Sequence, residues 1–315
     1  MFKILKKKFG KFTKVKLLNC DSNEYITIIP EFGANVNEIV LGKNNSLFSI
    51  IDGDKNSNEL VKNEWFKGAK LIPFPNRINN GIYLHNDVEY KLPLNFIAQK
   101  HAIHGLVYNK PFKITKNKVT KSKAILTLEY TGNKLIGYPF NFLVSITYIL
   151  SSKGFKCITS ITNNDNLQIP VGDGWHPYFI MNRKVNDLFL KIPSTKKISV
   201  DNRMIPTGKV VMMKRFSRLN QINKQNFDTG FIISNAKKKI AITEIVNKIL
   251  GITIQIWQET GKNKYNYLQV FIPPTRKSIA IEPMTCNTNA FNNKEGLIYL
   301  KPKEKFSASY GVNLV

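Results

Sequence analysis

Apolar and polar positions alternate along this chain with a period of two over most of its length. Residues 24–30 (EYITIIP), 124–130 (AILTLEY), 155–162 (FKCITSIT), 252–257 (ITIQIW) and 278–282 (SIAIE) are short and rich in β-branched or aromatic residues. Each is bounded by Asn, Asp, Gly or Pro. Successive side chains of an extended chain face opposite sides, so each segment predicts a short strand. Turn signals recur between such segments: Asn79-Asn80-Gly81, His85-Asn86-Asp87, Thr131-Gly132-Asn133 and Asn163-Asn164-Asp165. The pattern predicts a helix only as a short piece within residues 58–69 (NELVKNEWFKGA). Many short strands with frequent turns predict an all-β sandwich or barrel. No repeat period and no Pro/Gly/Ser linker divides the sequence, so residues 1–315 read as one large antiparallel β domain.

At 315 residues and 43% hydrophobic content, the chain can bury a large core without disulfides or metals. Cys20, Cys157 and Cys286 are widely spaced and odd in number, which argues against a disulfide framework and for a reducing, cytoplasmic setting. The richest apolar run, residues 142–150 (FLVSITYIL), falls well short of the roughly 18 apolar residues of a membrane helix. It reads as a buried strand, and no membrane partner is expected. The formal charge is +26, yet only six of the 47 basic side chains are arginine. Nucleic-acid surfaces recruit Arg for bidentate contacts, so the excess of Lys reads as a solvated surface and no nucleic-acid partner is expected.

Four histidines carry most of the candidate chemistry: His85, His101, His104 and His176. His85 lies in a hairpin turn and reads as exposed. A zinc site from His101, His104 and His176 lacks the usual helical His spacing or Cys pair, so no metal is expected. In GWHPYF, His176 is either a core histidine wrapped in aromatics or a proton donor beside an aromatic sugar platform. Glu282 ends the alternating SIAIE segment, with Ala280 on its own face and Ile279 and Ile281 on the other. It is either a water-facing carboxylate or a general base on a rigid element. Arg77 in PFPNRINNGIY is a solvated charge or a fixed fork for hydroxyls or a phosphate. Asp228 in NFDTGF caps a turn or accepts from sugar hydroxyls. Trp175, Tyr178, Phe74 and Phe291 are candidates to cover an apolar sugar face, each competing with a core role.

Taken in order, PFPNRINNGIY (73–83), HAIHGL (101–106), GWHPYF (174–179), NFDTGF (226–231) and IAIEPMTCNTNAFN (279–292) resemble the aldose 1-epimerase, or galactose mutarotase-like, family. The resemblance runs from about residue 24 to 295. It implies a large antiparallel β-supersandwich without metal or cofactor. By motif position it implies His176 as general acid, Glu282 as general base, and Arg77, His104 and Asp228 as sugar ligands. The implied activity is interconversion of the α and β anomers of a free aldose, with a small sugar as partner and a monomer or homodimer as the working form. Two readings stand beside it: a hexose-6-phosphate 1-epimerase, which needs extra cations at the pocket, and a carbohydrate-binding protein of the same fold without catalysis.

Overall fold

A computed structural model describes residues 1–233 and 239–315. The architecture is an antiparallel β-supersandwich, as the strand pattern and the family resemblance implied. Its largest sheet runs, in spatial order, through Lys113–Val119, Lys123–Gly132, Phe142–Ser151, Gly154–Asn163, Lys305–Leu314, Ile252–Glu259, Ile240–Asn247, Phe189–Lys191 and Asn220–Gln221. Strict alternation is visible here. Along Phe142–Ser151 and Ile252–Glu259 every second side chain is fully buried and the others are only partly covered. One continuous apolar core extends from Phe2 to Val312.

The N-terminal segments pair as a five-stranded sheet beginning at its edge with Phe2–Phe9. That edge strand carries Lys3, Lys6, Lys7 and Lys8, all exposed. One end of the large sheet, Lys113–Val119, carries Lys113, Lys116 and Lys118, also exposed. Part of the positive charge therefore lies along open sheet edges, where ammonium groups discourage edge-to-edge pairing with another chain.

A third sheet positions the site. Its order is Tyr178–Phe179, Ile279–Met284, Tyr267–Phe271, Asp228–Ile232, Lys196–Val200 and Pro206–Met212. Asp228 opens a strand rather than occupying a turn. The helix expected within 58–69 forms over Ser57–Lys62, capped by the Asn56 side chain on the backbone N–H groups of Asn58 and Glu59. Among the described residues no helix is long and apolar enough to cross a membrane.

Candidate active site

Five polar or aromatic side chains of the site share one face of the third sheet, and the register explains it. Tyr178 pairs with Ala280, Glu282 with Gln269, Phe271 with Ala280, and Asp228 with Phe271. With a period of two, Tyr178, Glu282, Gln269, Phe271 and Asp228 must then project to the same side. Ala280 and Gly230 are the small residues of that face.

Pro177 aims His176 toward the same face. Pro cannot donate to a ladder, so the chain changes partners there. Trp175–His176 pairs with Ala69–Lys70, whereas Tyr178–Phe179 pairs with Ile279–Met284. His176 Nε2 reaches to 3.5 Å from Glu282 Oε1, and both side chains are almost fully buried.

The facing wall comes from two tight turns. Arg77–Asn79 pairs with His101–Ile103. Asn76, just before the first strand, and His104, just after the second, both have left-handed backbone conformations and are joined by His104 N–H donating to the Asn76 carbonyl at 2.9 Å. Gly105 follows at φ +77°, and a Cβ there would come within 2.2 Å of the Ile72 carbonyl oxygen. Only glycine fits, which is why the histidine is followed by Gly. The His104 ring stands edge-on to His176, with centroids 4.9 Å apart.

Arg77 is held by its neighbours. Its Nη1 donates to Asn76 Oδ1 at 3.1 Å and its Nη2 to Asp228 Oδ2 at 3.5 Å. Gln269 Nε2 donates to Asp228 Oδ1 at 2.6 Å. Arg77, His104, His176, Asp228 and Glu282 thus line one cavity of about 220 Å³. Tyr178, Gln269 and Phe271 line it too, and Trp65, Phe66 and Phe96 form its aromatic rim.

Several sequence expectations change. Trp175 is wholly buried and stacks on Tyr310 at 5.0 Å, and Phe74 packs edge-on against Phe291 in the core. None of these three faces the cavity; of the four expected aromatics only Tyr178 does. His85 is buried rather than exposed, its Nε2 donating to the Gln168 carbonyl at 2.7 Å and its ring packed against Phe140 and Tyr299. The turn at Asn86-Asp87 is present, but the residue before it faces inward. His101 sits outside the cavity with its Nε2 on the Arg203 carbonyl. Gln269, Phe271, Trp65, Phe66 and Phe96 escaped sequence reading. Alternation in YLQVF could have put Gln269 and Phe271 on one face, but only the register sets them beside Glu282.

Burial governs the electrostatics. Desolvation pushes the Glu282 carboxyl well above its usual range, assisted by the nearby Asp228 charge and opposed by Arg77. It pushes the His176 imidazole down to about 3 and His104 well below its ordinary value, with His176 and Arg77 adding to the latter. Burial of both groups therefore favours a neutral pair, with the proton on the carboxyl. His176 Nδ1, His104 Nδ1 and Glu282 Oε2 have no protein partner. Buried polar atoms without partners are costly, so these open valences beside a cavity point to a hydroxyl-rich ligand. His104, His176 and Glu282 also bring one donor atom each within 4.8 Å of one another, a set able to hold a divalent cation.

The sequence model of the family described as aldose 1-epimerase matches residues 17–313. The chain belongs to the aldose 1-epimerase family. Among its relatives, the uncharacterized protein YihR of Escherichia coli K12 is 30% identical over 255 residues, covering 78% of this chain and 79% of that one. A galactose mutarotase-like protein from Clostridium acetobutylicum superposes with a TM-score of 0.85 at 23% identity, covering 100% of this chain and 98% of that one. A galactose 1-epimerase from Lactobacillus acidophilus superposes at 0.80 with 14% identity, covering 100% and 98%. At such identities the superpositions speak for the fold shared across the aldose 1-epimerase family.

Proposed function

We propose that this protein is a mutarotase that interconverts the α and β anomers of a free, uncharged aldose. The observation that carries the reading is the His176–Glu282 contact of 3.5 Å, buried at the wall of a sugar-sized cavity with open hydrogen-bonding valences. Mutarotation needs a base for the C1 hydroxyl proton and an acid for the ring oxygen as the C1–O5 bond breaks. The open aldehyde turns about C1–C2, and the transfers reverse on closure. A pair holding one proton suffices for both directions. Burial alone favours that proton on Glu282. A C1 hydroxyl donating to the carboxylate stabilises its ionised form, which leaves the proton with His176. His176 then acts as acid and Glu282 as base, while Arg77, His104 and Asp228 hold the ring hydroxyls and keep both transfers within reach.

The choice of an uncharged sugar rests on the lining. Among the described residues around the cavity Arg77 is the one permanently cationic side chain, and it already faces Asp228. Glu64 and Asp228 oppose an incoming phosphate. The large positive charge of the chain is not concentrated there, which ranks the hexose-6-phosphate reading second. A binder without catalysis has no use for an acid and a base in contact. The continuous core supports treating residues 1–315 as one working unit, and the three free thiols suit a cytoplasmic setting.

Polarimetry of freshly dissolved α-glucose and α-galactose tests the reading. The wild type should bring rotation to equilibrium faster than buffer, and Glu282→Gln should not. Wild-type traces that match buffer across neutral sugars would overturn it.

A further inference from the structure

The donor atoms of His104, His176 and Glu282 lie close enough to meet on a single ion, one atom from each within 4.8 Å of the others. The expectation of no metal rested on spacing along the chain. Spacing says nothing of these three, which the sheets bring together from separate ladders. We infer that they form a binding site for a divalent cation of the Zn²⁺ type, and that the bound ion shuts sugar out of the cavity. Resting on the mutarotase reading for what is blocked, the ion is a reversible brake on the enzyme and not a resident cofactor.

The geometry suits the ion. Zinc holds nitrogen and oxygen donors at about 2.0–2.1 Å, which sets neighbouring donors of a tetrahedron about 3.4 Å apart. His176 Nε2 and Glu282 Oε1 stand 3.5 Å apart. The His104 ring lies at 84° to the His176 ring, so the third donor arrives from a different direction. Two imidazoles and one carboxylate are a donor set that zinc takes where a further position stays open to water. Each donor is also held in place. Glu282 sits inside the strand Ile279–Met284, His176 in the ladder with Ala69, and His104 in the turn tied to Asn76.

An independent observation points to a ligand at the same spot. The three residues are exposed by only 6%, 5% and 1%, yet His104 Nδ1, His176 Nδ1 and Glu282 Oε2 have no protein partner. Groups so buried and so poorly paired gain from any ion or ligand that engages them. Glu64 and Asp228 in the lining, against the single Arg77, favour a cation there.

The same atoms argue for a brake. Histidines that hold a resident metal give their second ring nitrogen to an acceptor, which fixes the ring. Nδ1 of both rings has no acceptor among the described residues. Missing outer contacts of this kind weaken metal binding about 10–100-fold, so the ion exchanges. Coordination ties up both members of the acid–base pair and displaces the proton they share. A pyranose ring then has neither group to meet.

The test starts from protein stripped of metal by a chelator. Co²⁺, a visible stand-in for Zn²⁺, should give the absorption band of a low-coordinate ion, and Zn²⁺ or excess galactose should each erase it. His104→Gln and Glu282→Gln should each weaken Co²⁺ binding at least about tenfold. Cys20→Ser should bind as wild type does, since that partly exposed thiol lies outside the cavity. In polarimetry Zn²⁺ should raise KM for α-galactose and leave kcat unchanged, and the chelator should restore the rate. The absence of a band, or unaltered binding in both cavity variants, overturns the site. A band that survives excess galactose, or Zn²⁺ that lowers kcat at saturating sugar, overturns the exclusion of sugar. Turnover that requires Zn²⁺ overturns the brake. Metal-free protein that turns over no sugar, but binds Co²⁺ through these residues, sinks the mutarotase reading and upholds the ion site.

Discussion

Two buried pairs of ionisable groups lie one residue apart on the same short ladder, and they could hardly be treated more differently. Lys70 pairs with Trp175, and its neighbour Ala69 with His176. Lys70 Nζ lies 2.8 Å from Asp173 Oδ1, and both side chains are wholly shut off from solvent. Around them the protein supplies most of a shell, with Asp173 Oδ1 left only its ion-pair contact to the ammonium. Lys70 also donates to Thr159 Oγ1 at 3.0 Å and to the Tyr310 hydroxyl at 3.4 Å, and Tyr265 donates its hydroxyl to Asp173 at 2.5 Å. His176 and Glu282 are just as buried but meet at 3.5 Å, and each keeps an atom with no partner. A buried pair surrounded by donors and acceptors serves the fold. A buried pair with unused valences at the wall of a cavity is prepared for something that arrives.

The largest expected effect would break the first pair. Lys70→Met should cost about 3–5 kcal/mol of stability, read as a fall in the urea midpoint, because it leaves Asp173 buried without its counter-ion. Adding Asp173→Leu should restore much of the loss. A single variant as stable as wild type would show that this pair does not hold the ladder. The second pair should respond in activity instead. Glu282→Gln and His176→Asn should each lower kcat/KM on α-galactose by at least about 10²-fold without lowering the urea midpoint at neutral pH. Unfolding of both variants would merge the two pairs into one class.

The sign of the pH response sharpens the contrast. His176 is pushed down to about 3 by burial, so the unfolded chain binds a proton that the folded chain refuses. Stability from this group is present above the unfolded value near 6.5 and is lost as pH falls toward about 3. Between pH 6 and 5 the slope should be at most about 1.4 kcal/mol per unit, and His176→Asn should flatten it. Glu282 acts in the opposite sense, because its carboxyl is raised: its contribution is full below the unfolded value and fades as pH rises through the folded one. Calorimetric melts of wild type, His176→Asn and Glu282→Gln across pH 5 to 8 separate the two slopes. Identical slopes in all three would remove the electrostatic basis of the comparison. The smallest effect belongs to Asp228→Asn, which keeps the contact to Gln269 but loses charge opposite Arg77. About a fivefold drop in kcat/KM is expected, the worth of one net hydrogen bond.

Strand positions were legible because a half-buried strand writes its two faces into every second residue. Segments 155–162 and 252–257 fall inside Gly154–Asn163 and Ile252–Glu259 for that reason. Pro177 announced an interruption, since a residue without an N–H must break a ladder somewhere. The motifs around Arg77, His104, His176, Asp228 and Glu282 could be picked out one by one. What the order of residues did not contain is which strand lies beside which. Alternation states that Glu282 faces away from Ile281 but not that Gln269 stands opposite it, or that Trp175 turns to the core while Tyr178 turns to the cavity. Lys70, in the stretch GAKLIP, looks like any surface lysine, and only the packing of four distant parts of the chain, around Thr159, Asp173, Tyr265 and Tyr310, encloses it. Local periodicity is a property of neighbours in sequence. Register, burial of both faces and the meeting of His176 with Glu282 are set by contacts between residues about a hundred positions apart, and those exist only once the sheets have closed.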